Sequence, residues 1–97
     1  MSGQHEAPES DLGDERRALT LRLVASESSF HRIVSDLTKK HVVIEWLRFE
    51  SGRDAHWLCV VLRAPASRLD HATAVLRNDA VVTDLKVDPP GTAYLLG

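Results

Sequence analysis

The chain is short of the residue types that build reactive sites. Its single cysteine, Cys59, excludes an internal disulfide framework and any multi-cysteine metal site made from one chain. Of five glycines only Gly52 falls within residues 18–88, so no glycine-rich loop is available to cradle a phosphate. Apolar runs are only a few residues long, which excludes a membrane-spanning helix, and residues 1–17 lack the apolar stretch of a secretory signal. A cytoplasmic location is expected. Basic residues are absent from the first fifteen positions, which hold Glu6, Glu9, Asp11, Asp14 and Glu15. From Arg16 onward, twelve Lys and Arg face nine acids. The overall charge of −2 therefore joins an acidic tail to a domain of +3.

Composition divides the chain into three parts. Residues 1–17 carry Ser, Gly, Pro, Glu and Asp with almost no large apolar side chain beyond Leu12. Such a segment cannot bury enough surface to offset its ordering entropy, so a disordered acidic tail is expected. Residues 18–88 form the expected domain. Pro89-Pro90-Gly91 then stops regular structure, and a C-terminal tail occupies 89–97.

Within the domain the hydrophobic period switches repeatedly between 2 and 3.6. Leu19, Leu21 and Leu23 alternate with Thr20 and Arg22, which predicts a half-buried strand. Phe30, Ile33, Val34 and Leu37 follow the stripe of an amphipathic helix, with Ser28 or Ser29 as N-cap and Lys39 and Lys40 at its negative end. His41–Glu50 and Trp57–Leu62, separated by Ser51-Gly52-Arg53-Asp54, predict a β-hairpin. Ser67 with Asp70 has the spacing of a capping box and opens a second helix along Leu69, Ala72, Val75 and Leu76. Val81, Thr83, Leu85 and Val87 make a last strand. The order βαββαβ predicts an α+β, ferredoxin-like domain, with a four-stranded antiparallel sheet and both helices on one face.

The hairpin is apolar on both faces, Val43, Leu47 and Phe49 against Ile44 and Trp46 on one strand, and Trp57, Cys59 and Val61 against Leu58, Val60 and Leu62 on the other. Helices cover only one face of such a sheet. Either a second chain covers the rest, as in a homodimer through the sheet, or Tyr94-Leu95-Leu96 folds back over it.

No residues assemble into a recognisable catalytic set. The five histidines include no HxxxH pair, and His56 and Cys59, three apart on a strand, point to opposite faces. Scattered surface histidines and a small buried Cys59 are expected, with no metal site. There is no nucleophile–base–orienter arrangement, and the residues point away from an independent enzyme. RNA-recognition modules share the element order but stack bases on sheet aromatics; Thr20–Val24 has none and Trp57–Leu62 only one, which argues against nucleic acid.

The order and spacing of several segments resemble the ACT domain, and most of all the small regulatory subunit of acetolactate (acetohydroxyacid) synthase. That family's first loop has the form Asn-x-x-Gly-x-Leu-x-Arg-Val, where this chain reads Ala25-Ser26-Glu27-Ser28-Ser29-Phe30-His31-Arg32-Ile33. Its second strand often opens Asn-Ile-Glu-x-Leu, where this chain has Val43-Ile44-Glu45-Trp46-Leu47. The resemblance implies a noncatalytic subunit with no cofactor of its own, associating with a thiamine-diphosphate-dependent catalytic large subunit in branched-chain amino-acid synthesis. It also implies that Ala25, Ser26, Glu27, Ser28, Ser29, Phe30 and Val43 stand where the family binds a branched-chain amino-acid effector against a neighbouring subunit. Ser28 replaces the glycine that lets backbone approach a carboxylate, and Ala25 and Val43 replace asparagines, so effector binding is expected to be weakened or lost. Ser28 and Ser29 at a helix N-terminus would instead leave donors for a carboxylate. Arg22, Trp46, Arg48, Trp57 and Arg63, on or beside strands, are the candidate interface residues. Two roles fit: the regulatory subunit, or a free-standing ACT-like dimerisation or ligand-sensing module of another enzyme or regulator.

Overall fold

The computed structural model of the chain describes residues 13–89 and 91–96, with the side chains of Tyr94 and Leu96 outside that description. Seven elements follow one another: β1 (Asp14–Val24), α1 (Glu27–Lys39), β2 (Val43–Ser51), β3 (Ala55–Pro65), α2 (Ala66–Arg77), β4 (Val82–Val87) and α3 (Thr92–Leu96). The strands form one antiparallel sheet in the order β2-β3-β1-β4. This is the expected ferredoxin-like arrangement, with α1 and α2 packed on one face.

Alternation along the strands builds that face. Leu19, Leu21 and Leu23 of β1, Leu58, Val60 and Leu62 of β3 and Leu85 of β4 are buried against Ile33 and Leu37 of α1 and Leu69, Ala72 and Leu76 of α2. Each buried leucine contributes roughly 1.5–3 kcal/mol relative to exposure. The second strand departs from simple alternation. A register shift between Ile44 and Trp46 leaves Glu45 as an extra residue, so Ile44, Leu47 and Phe49 all turn to the core and Val43, Trp46 and Arg48 turn away. The expected grouping of Val43 with Leu47 and Phe49 is corrected by this bulge, since one inserted residue reverses the alternation beyond it.

Helix starts also differ from the sequence pattern. Ser26, not Ser28 or Ser29, caps α1, because β1 ends at Val24 and the chain turns at once through Ser26 N–H to Val24 O at 2.8 Å. α2 begins directly at Ala66 with Pro65 as its cap and no side-chain capping bond, which places Ser67 inside the first turn. Asp70 accepts instead from Arg17 Nη1 at 2.7 Å. At the end of α1, His41 takes the left-handed conformation (φ 60°) that usually falls to glycine, and Arg68 Nη1 donates to its carbonyl at 3.2 Å. In the hairpin turn a Cβ on Gly52 would collide with the Ala55 carbonyl oxygen, which explains the one glycine of the domain.

Both expected tails reach into the structure. β1 begins at Asp14, so residues 14–17, placed by composition in the disordered segment, are a strand paired with Arg17↔Leu62 through Asp14↔Pro65. A neighbouring strand satisfies their backbone groups whatever their side chains, and composition alone does not reveal that. The rest of that segment, residues 1–12, lies outside the described residues. At the other end α3 folds back on the face opposite α1 and α2, where Ala93 is buried with Ala18 and Val61, flanked by Trp46. Leu95 is 87% exposed, so the contact is made by Ala93 and not by Leu95.

Candidate functional site

The loop from β1 to α1 is closed by its own hydroxyls. Ser26 Oγ accepts from Ser28 N–H at 3.4 Å and lies 3.1 Å from Ser28 Oγ. Ser29 is fully buried and donates from Oγ to the Val24 carbonyl at 2.9 Å. Glu27, exposed in the first helical turn, puts a carboxylate of the chain at the positive end of α1. Phe30 packs its ring 4.8 Å from Phe49, which in turn lies 5.2 Å from the ring of His56. His56 is therefore a core residue, against the expectation of surface histidines; His31, His41 and His71 are exposed. Beside the loop, a cleft of about 270 Å³ opens between Arg22, Val24, Ala25, Asp54, Ala55 and Thr83.

Val43 is not part of this neighbourhood within one chain. It pairs with Arg63, whereas the loop leaves β1 at Val24, opposite Ala55 at the other end of β3. Ala25, Ser26, Glu27, Ser28, Ser29 and Phe30 are contiguous, and Val43 stands apart from them with 45% of its surface exposed.

The five interface candidates do come together. Trp57 and Arg63 of β3, Arg22 of β1, and Trp46 and Arg48 of β2 all project from the sheet face turned away from α1 and α2. Three environments divide that face. At one end Glu45, the bulge residue, accepts from Arg16 Nε and Arg63 Nε, both at 2.7 Å, while Arg63 Nη1 reaches Asp14 at 3.0 Å. The hydrogen bond that Arg63 donates to Glu45, the Glu45 charge and that of Asp14 hold the guanidinium above its ordinary pKa. Next comes the Ala18–Val61 row beneath α3. Beyond it lie two uncovered rows, in which Arg48 pairs with Glu50 at 2.6 Å and the Arg22 guanidinium sits 5.8 Å from the centre of the Trp57 ring. Trp57 keeps 44% of its surface exposed.

Cys59 belongs to this face as well. It is half-buried rather than in the core, with Sγ 3.8 Å from Thr20 Oγ1, and Thr20 also donates to Asp88 at 3.1 Å. The bulge is what hid the full membership of the face from sequence reading; an acid inside the apolar run Val43–Phe49 was its one signal. A second cluster had no signal beyond Asn78-Asp79 as a helix stop. Asp79, whose side chain is only 5% exposed, takes Arg32 Nε at 2.9 and 3.1 Å on its two oxygens and the Val81 N–H at 3.0 Å. Burial opposes ionisation of Asp79, but the Val81 N–H, Asp36 and Arg32 outweigh it and lower its pKa. Asp36 is raised, first by its hydrogen bond to Asp79, then by burial and the Asp79 charge.

Among the described residues no group of three His, Cys, Asp or Glu side chains is placed to hold a metal ion, and no helix is long and apolar enough to cross a membrane. No known family's sequence pattern matches the chain, and no curated protein matches it in sequence. Its fold is that of solved domains. The ACT domain of a GTP pyrophosphokinase from Chlorobium tepidum superposes with a TM-score of 0.66 at 10% identity, covering 77% of this chain and 86% of that one. The C-terminal domain of the MgtC protein from Mycobacterium tuberculosis gives 0.58 at 16% identity, covering 78% and 87%. The fold is ACT-like.

Proposed function

We propose that the chain is a noncatalytic regulatory module that works by association: an ACT-like small subunit that binds and activates a thiamine-diphosphate-dependent acetolactate synthase large subunit. One observation carries the associative part of this reading. All five candidate interface side chains, two tryptophans and three arginines, stand on one sheet face, the composition expected of a surface that meets another protein. The large subunit, not this chain, would hold the cofactor. The sequence resemblance of the first loop and of Val43–Leu47 supports the choice of enzyme.

Amino-acid feedback is weakened or lost in this reading. The Ser26 and Ser29 hydroxyls are used within the loop, and Glu27 offers the helix terminus a carboxylate already. Calorimetry with valine, leucine and isoleucine should give no heat in the micromolar range; micromolar valine binding would overturn this point.

Reconstitution tests the main reading. Adding the chain to a purified catalytic large subunit from the same organism should raise its turnover severalfold, and absence of both activation and co-elution would sink it. The second reading, a free-standing ACT-like module serving another protein, draws support from the neighbours, one a domain of a GTP pyrophosphokinase and the other of MgtC.

A further inference from the structure

We propose that the acidic segment preceding β1, residues 1–12, docks on the cationic end of the helix layer, where Lys39 and Lys40 close α1 and Arg68 stands in the first turn of α2. This surface belongs to the helices and not to the outer sheet face. The inference therefore goes beyond the regulatory reading above and does not depend on it.

The segment joins the domain beside that end. Gly13 lies against Pro65, where a Cβ on the glycine would stand 3.6 Å from that of the proline, and Pro65 is the residue at which β3 passes into α2. Arg68 follows in the first turn of α2, and its Nη1 donates to the His41 carbonyl at 3.2 Å, which ties the start of α2 to the end of α1. Residues 1–12 contain Glu6, Glu9 and Asp11 and no Lys or Arg. A segment of that length extends to about 40 Å at most, so the patch is well within its reach from Gly13.

The cations gathered here are ones the domain leaves unmatched. Arg16, Arg17, Arg32, Arg48 and Arg63 each form an ion pair with a carboxylate. Among the described residues Lys39, Lys40 and Arg68 form none, although the charge of Lys39 is felt by Asp36. Arg22, Arg53, Arg77 and Lys86 are likewise without an ion pair there, but they are scattered over β1, the hairpin turn, the end of α2 and β4. The acids at the same end, Asp14, Glu15 and Asp70, are taken up by Arg63 and Arg17. Three like charges gathered at one end repel one another, and an anion laid among them relieves that repulsion. Each exposed pair is weak by itself. A short tether, however, holds the acids at an effective concentration in the millimolar range, so even a weak contact is populated. An acidic partner that used this end would first have to displace the segment.

Paramagnetic broadening in NMR spectra of the full chain tests the proposal. A nitroxide is placed on Ala7→Cys, between Glu6 and Glu9, in a Cys59→Ser background. At low salt the amides of Lys40, His41 and Arg68 should be broadened about twofold or more beyond their level in a chain carrying Glu6→Gln, Glu9→Gln and Asp11→Asn, which has the same tether and the same domain. Salt at about 0.5 M, where the Debye length falls to about 4 Å, should bring the two chains together. The double change Lys39→Gln/Lys40→Gln should reduce the broadening as neutralising the segment does; both lysines sit at a helix end with exposed or half-buried side chains, and circular dichroism checks that the fold is kept. Equal broadening in the charged and neutralised chains, or broadening centred on the outer sheet face around Arg22 and Lys86, would overturn the proposal.

Discussion

The two faces of the sheet are made by alternate residues of the same strands, yet they are closed by different means. On the inner face Leu21 and Leu58 are fully buried and Leu85 nearly so beneath the helices, and the few polar groups there are paired locally, as Arg17 is with Asp70 and His56 with the Gly52 N–H. On the outer face an ion-pair network, a five-residue helix and an exposed tryptophan succeed one another along the strands. The inner face fixes the fold with many weak, direction-free contacts. The outer face holds directional groups, ion pairs and a guanidinium over an indole ring. The groups that hold the fold and those offered to a partner in the proposed reading are thus separated by a single residue step along each strand.

Breaking the inner face should cost most. Leu58→Ala leaves a cavity among buried side chains and is expected to lower unfolding free energy by about 2–5 kcal/mol in chemical denaturation. The neighbouring outer change Trp57→Ala should cost only about 1 kcal/mol; a loss equal to that of Leu58→Ala would erase the distinction between faces. Ala93→Asp comes next, because it places a carboxylate where α3 meets Ala18 and Val61. An effect of about 1–3 kcal/mol is expected, together with faster protease cleavage near residues 89–92. Glu45→Gln weakens the bonds to Arg16 and Arg63, and about 0.5–1 kcal/mol should be lost at low salt and less at high salt.

The smallest expected effect sharpens the comparison away from the sheet. Because the folded pKa of Asp36 is raised, its share of stability is full below the ordinary aspartate range and is lost as pH rises through the raised value. Asp79 runs the other way, contributing above its unfolded pKa and losing that contribution as pH falls through its lowered one. Asp36→Asn keeps a donor for Asp79 without the second charge. The variant should be more stable than the parent at neutral pH by about a few tenths of a kcal/mol and converge with it below about pH 4. Thermal melts across that range check the sign.

Much of this architecture is written in the hydrophobic period. Leu19, Leu21 and Leu23 declare a strand, and Phe30, Ile33 and Leu37 a helix, because burial on one side imposes a repeat that survives any local exception. Exceptions of one residue were illegible for the same reason. The Glu45 bulge changes which neighbours share a face without changing which residues are apolar. Asp14–Arg17 became a strand because β3 is long enough to pair with it, a fact stored some fifty positions away. The caps moved because loop closure, not residue type, decides where a helix begins; Ser26, Ser28 and Ser29 are chemically equivalent as candidates. Of the site, the five aromatic and guanidinium groups were visible from residue type and strand position alone, whereas Glu45 could be joined to Arg16 and Arg63 only when cross-strand register aligned them.

The strand order has a consequence in time. β1 is the first strand made and lies between β3 and β4, the last two. Only the β2–β3 hairpin pairs neighbours in sequence, so during synthesis β1 must wait with Leu19, Leu21 and Leu23 unsheltered until β3 emerges, and its second edge waits longer for β4. Closing those distant pairs slows folding relative to a bundle of the same size. The hairpin is therefore the expected first step, and slowing its turn, for instance by replacing Gly52, should delay the whole sheet.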